Sequence, residues 1–147
     1  MATLLTLLEQ APFITWLRGN LLGYVVLNAA HVLALGIFMG AVVSLDLGIL
    51  RAPGFGWSAT VAGPLRRMAI AALLCAVLTG ALLFSVRPTD YLDNGAFLAK
   101  LALLLLSGTN ALLFQLVESA TVRVVQAGLS LILWIGVLLA GRLIGFV

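Results

Sequence analysis

Four long apolar runs, at about 21–46, 65–86, 96–117 and 124–146, dominate this 147-residue chain, with short polar breaks between them and few polar residues inside them. Each run meets the requirement of roughly 20 predominantly apolar residues for a bilayer-crossing helix. Backbone amides in lipid must be satisfied within their own segment, so each run predicts a transmembrane helix. The breaks carry turn chemistry. The first, from Arg51 to Thr60, is rich in Gly and Pro and places Trp57 where an interface suits it, and Pro64 can open the second helix. The second, Arg87 to Gly95, closes one helix and caps the next, with Tyr91 at headgroup depth. The third, near Glu118, is so short that the last two helices must be antiparallel neighbours. The expected fold is all-α: one membrane domain over 1–147, an up-down-up-down four-helix bundle with both termini on one side. Residues 2–19 read as a short interfacial helix, because Glu9 and the lack of a basic start argue against a signal peptide while Pro12, Trp16 and Arg18 suit a membrane surface.

Composition places the chain in the bilayer. It is 63% hydrophobic and 9% charged, with mean hydropathy +1.23, where a soluble domain carries roughly 25% charge. The net charge of +3 is scattered, so no nucleic-acid surface is expected, and the pI of 9.8 reflects arginines at the headgroups. Arg51, Arg66, Arg67 and Arg123 fall on one side, against Arg18, Arg87, Arg142 and the nearby Lys100 on the other. Counting the first group as cytoplasmic puts both termini outside. The single cysteine, Cys75, excludes an intrachain disulfide, and no Cys/His spacing builds a zinc or iron–sulfur site within the chain. A nucleophile–base pairing, a phosphate loop and an intramembrane carboxylate pair are all missing, so no catalytic constellation is expected.

Chemistry concentrates on one residue. His31 is the sole histidine and lies roughly 15 Å into the first run, near the membrane midplane. An ionisable group at that depth is costly and marks a functional site by default. Its imidazole can ligate a haem iron or a metal, carry a proton, or hydrogen-bond Asn110 or a backbone carbonyl. Asn28 shares its helix face at i, i+3. On the third helix Lys100, Ser107 and Glu118 form a polar line flanked by Asn110 and Gln115, and the fourth helix offers Gln126, Ser130 and Arg142. Lys100 and Arg142 either snorkel to the interface or hold an anionic group such as haem propionates. Asp46 and Arg51 are expected to form an edge ion pair. Met39 and Cys75 are the remaining soft ligands, but with His31 they show no copper-site spacing. Gly36, Gly40 and Ser44 on the first helix, and Ala76 and Gly80 on the second, form small-residue stripes suited to close packing within the bundle.

The stretches from Ala30 to Arg51, Leu78 to Phe84, Tyr91 to Lys100, Asn110 to Phe114 and Leu139 to Gly145 resemble a family of small bacterial four-span membrane proteins, mainly uncharacterised. More distantly, a first-helix His and a Lys at the start of the third helix are similar to the copper-resistance protein D membrane domain and the haem-containing protoporphyrinogen oxidase family. The resemblance implies an inner-membrane protein in which His31 ligates haem or metal and Lys100 is its cationic partner. Members of the nearer family often carry a second His directly after Phe114, where this chain has Gln115, so two histidines of one chain cannot hold the iron. The expected function is haem b or metal binding through His31, serving electron transfer or cofactor handling, with Lys100, Arg142, Asn28, Asn110 and Gln115 around the site. Two alternatives stand beside it. One is a non-catalytic accessory subunit packed against a larger membrane complex or against its own copies; the other is a copper or proton transporter.

Overall fold

The structure is a computed structural model describing residues 7, 9–52 and 57–146. Six helices are described: α1 (Pro12–Gly19), α2 (Leu21–Arg51), α3 (Ala59–Val86), α4 (Pro88–Leu92), α5 (Gly95–Phe114) and α6 (Ala120–Leu143). No strand occurs among the described residues. Four of the helices, α2, α3, α5 and α6, are long and apolar enough to cross a membrane. Of the expected interfacial segment, α1 is the later part, and residues 1–6 and 8 lie outside the described residues.

Local chemistry sets most helix ends. The side chain of Asn20 accepts from Gly23 N at 2.9 Å and starts α2, and Asn94 accepts from Phe97 N at 3.0 Å and starts α5, each satisfying a backbone donor that the first turn leaves free. Pro12 and Pro88 occupy first-turn positions, where a missing N–H costs nothing. Pro64 does not open its helix. It lies inside α3, whose first turn forms earlier as Val61 N and Ala62 N both bond Ser58 O at 2.9 Å. Helix α2 runs on to Arg51 and α5 stops at Phe114, so the runs read from hydropathy are displaced by up to about two turns at their ends.

The helices form two antiparallel hairpins, α2–α3 and α5–α6, joined along a single seam between α2 and α6. That seam is the core: Phe38 and Ala41 of α2, Ala69 and Ala72 of α3, and Trp134 and Val137 of α6 are all buried together. Phe38 meets Trp134 edge-on, with ring centroids 4.5 Å apart. The backbone of α3 does not approach α5 or α6. Across that gap the contact is aromatic: Phe84 of α3 stacks on Phe97 of α5 at 5.5 Å, with Tyr91 of α4 against both. Helix α1 folds under the α2–α3 hairpin. It buries Ile14 and Leu17, and Arg18 donates to Val86 O at 2.6 Å, placing a cation on the carbonyl end of α3.

The small-residue stripes divide. Gly80 faces α2 and sits against His31, but a side chain added at Gly36 or Gly40 would meet nothing within 4 Å. Those two glycines are exposed, because the α2 face that packs inside the bundle is the one carrying Ala34, Phe38 and Ala41. The expected bundle-packing role therefore fails for Gly36 and Gly40 and holds for Gly80.

Candidate functional site

His31 lies half-buried on α2, facing α3. Its Nδ1 is 2.9 Å from Thr79 Oγ1. That hydroxyl has one proton, which it donates to the backbone, to Cys75 O at 2.7 Å with Ala76 O at 3.2 Å. With that proton on the backbone, Thr79 accepts from His31 Nδ1–H, the tautomer in which Nε2 keeps its lone pair. Gly80 makes room for the ring, since a Cβ there would stand 3.0 Å from His31 Cε1.

The imidazole borders a cavity of about 370 Å³ whose walls are almost wholly apolar, including Leu35, Phe38, Met39, Phe84, Phe97 and Trp134, with Lys100 as the one charged residue in its lining. It continues toward the terminal side into a space of about 520 Å³ that His31 and Lys100 also line, together with Asn28, Gly141 and Arg142. The Lys100 stem runs over Gly141, 3.6 Å from where a Cβ would be. Arg142 extends outward over the Phe146 ring at 4.8 Å. Beyond lies a polar recess of about 630 Å³ lined by Arg18, Tyr24, Arg87, Asp90 and Tyr91. Burial pushes the Tyr91 phenol up from its ordinary value, with Tyr24 beside it acting in the same direction. The sequence of environments, from apolar interior through Lys100 and Arg142 to a polar rim, matches an amphiphilic guest with anionic groups at one end.

Of the residues singled out in the sequence, His31, Lys100, Arg142 and Asn28 converge on this space. Asn110 does not line it; its amide donates to Gln126 O at 3.1 Å and ties α5 to α6. Gln115 caps the end of α5 and is exposed. His31 meets Thr79, with the backbone of Ala76 beside the ring, and does not meet Asn110. Among the described residues the sole ion pair is Arg87–Asp90 at 3.9 Å, so the expected Asp46–Arg51 pair does not form. Met39 lines the cavity and Cys75 is exposed, and no three His, Cys, Asp or Glu among the described residues gather as a metal cluster. Thr79 and Gly80 are the site residues the sequence did not assign to His31. The signal was the register of an antiparallel hairpin, which sets a hydroxyl and a glycine at the level of His31.

Comparison with protein-family models, with curated proteins and with solved structures finds no match.

The residues present suit a haem on three counts. The hydrogen bond of Nδ1 with Thr79 orients the imidazole, as a ligating histidine requires. The cavity is apolar and falls in the range of small-molecule sites, roughly 300–1,000 Å³. Cations stand on one side only. A multi-ligand metal centre lacks this support among the described residues.

Proposed function

We propose that the protein is a small polytopic protein of the bacterial inner membrane, its termini periplasmic, that binds haem b through His31 for electron transfer or cofactor handling. The observation that carries this reading is the placement of the imidazole: Nδ1 is within hydrogen-bond distance of Thr79, and the residue lines a largely apolar cavity with Lys100 and Arg142 toward the terminal side. His31 Nε2 would bind the iron, while Lys100 and Arg142 would take the propionates. Phe84, Phe97 and Trp134 would cover the macrocycle and keep water away. When bound, haem supplies a one-electron iron couple. The resemblance to the copper-resistance and protoporphyrinogen oxidase groups, which share a first-helix His and a third-helix Lys, supports the same assignment.

The test is a reduced-minus-oxidised absorption spectrum of the protein purified in mild detergent from cells amply supplied with haem. A b-type signal is expected, and a colourless, metal-free protein overturns the reading. Thr79→Val should keep the fold and weaken haem binding by about 10–100-fold, the usual worth of a group that orients a ligating histidine; titration of the apoprotein with haem measures it.

A second reading rests on Gly36 and Gly40. They leave an open small-residue stripe on α2, with Gly36 bordering the space that His31 lines, where another membrane helix can approach closely. An accessory subunit would use that face, and a colourless protein that co-purifies with a larger membrane complex would favour it.

A further inference from the structure

A second polar cluster lies on the α2–α6 seam, in the membrane half opposite the termini and roughly 22 Å along α2 from His31. Asp46 is only 8% exposed, and its Oδ2 has no hydrogen-bond partner. Ser130 of α6 is buried beside this carboxyl. One turn away on that face of α6, Gln126 Oε1 is also buried and without a partner. As placed, both orphan atoms are acceptors, and neither satisfies the other.

The surrounding elements offer no counter-charge. Arg51 on α2, Arg66 and Arg67 on α3, Arg123 on α6 and Glu118 in the α5–α6 turn are all exposed. Arg123 instead lies over the Phe114 ring, 5.2 Å from its centroid, and no cation pairs with Asp46 among the described residues. From α5, the Asn110 amide is spent on the Gln126 backbone carbonyl. A bare carboxylate packed beside an apolar core is too costly to persist without a compensating positive charge or a bound proton.

We infer that the α2–α6 seam holds a small-cation site, with Asp46 as its anchoring carboxyl, Gln126 as a second oxygen donor, and a proton or a sodium ion as occupant. A proton turns Asp46 Oδ2 into a donor. Sodium takes the oxygens directly as ligands. This site is separate from the His31 cavity and does not depend on what that cavity binds. It lies on the seam that joins the hairpins, so its occupancy is coupled to how α2 and α6 pack.

Dicyclohexylcarbodiimide, an apolar reagent that modifies protonated carboxyls within membranes, tests this on the full-length protein in liposomes, with the adduct located by mass spectrometry. Labelling of Asp46 is expected. For a proton site, it falls as pH rises and ignores sodium. For a sodium site, it also falls at fixed pH when sodium chloride, but not choline chloride, is added. Asp46→Asn should abolish the label while keeping the helical circular dichroism, because the amide supplies the donor that the neutral acid would. Gln126→Leu should require about tenfold more protons or sodium for the same effect, the worth of one hydrogen bond to a charged group. Asp46 that stays unlabelled at every pH without sodium, in protein that labels once unfolded, overturns the proposal. So does labelling that responds to neither pH nor sodium.

Discussion

His31→Ala should remove the whole haem signal and leave the protein folded. The reduced-minus-oxidised band expected of the wild type should vanish, while helicity and elution in detergent should stay unchanged. The fold survives because His31 contributes one interhelical hydrogen bond, to Thr79, and such bonds inside membrane proteins stabilise by only about 1 kcal/mol. Thr79 is not orphaned by the change, since its hydroxyl already donates to Cys75 O. The ligand is lost because no second histidine exists, and the other donor side chains of the cavity are Met39 and Lys100. Free imidazole should restore the band, filling the space vacated beside Gly80. A variant that keeps the wild-type spectrum sinks His31 as the ligand and directs attention to Met39 or Lys100. Gly80→Leu makes the same point from α3: its side chain takes the place of the ring, and haem content should fall nearly as far as in His31→Ala.

The four long helices were legible because lipid leaves a chain few options. An apolar run of sufficient length has to be a helix, whatever its packing. Their ends were less legible, and Pro64 shows why: a proline suits the first turn but is tolerated later when the carbonyl it fails to bond lies near the helix start. Within the site, His31, Lys100 and Arg142 stood out because charge and imidazole are rare in such runs. Thr79 did not, since a threonine in a transmembrane helix ordinarily bonds its own preceding turn, as Thr109 does to Leu105 O. Thr79 makes that same bond and serves His31 as well, a double role that appears only once the hairpin register is known. Sequence proximity also misled. Arg51 lies beyond Asp46 on the same helix, yet the Asp46 carboxyl turns into the α2–α6 seam while Arg51 remains exposed. The glycine stripe misled by its spacing, which identifies a face without saying what covers it.

Trp134→Ala should be the most damaging single change to the fold. The helix backbones of the two hairpins approach only where α2 meets α6 among the described residues, and at the centre of that seam Trp134 and Phe38 are 6% and 4% exposed, ring against ring. Lipid removes most of the hydrophobic drive for helices to associate, so the seam is held by contact between packed atoms. In water-soluble cores, removing a large aromatic costs about 3–5 kcal/mol, of which the cavity term alone survives in lipid. A loss of about 2 kcal/mol is therefore expected in unfolding by sodium dodecyl sulfate from mixed micelles, with Phe38→Ala close behind. Trp134→Phe should recover most of it by keeping a ring against Phe38. The change also reaches the site, because Trp134 and Phe38 wall the inner end of the His31 cavity. Trp134→Ala should therefore loosen haem as well as the hairpins, whereas an outward-facing control such as Ile132→Ala should alter neither. Equal stability of Trp134→Ala and Ile132→Ala would mean that the hairpins are held together by something other than this seam, and the aromatic contact of Phe84 with Phe97 would be the next place to look.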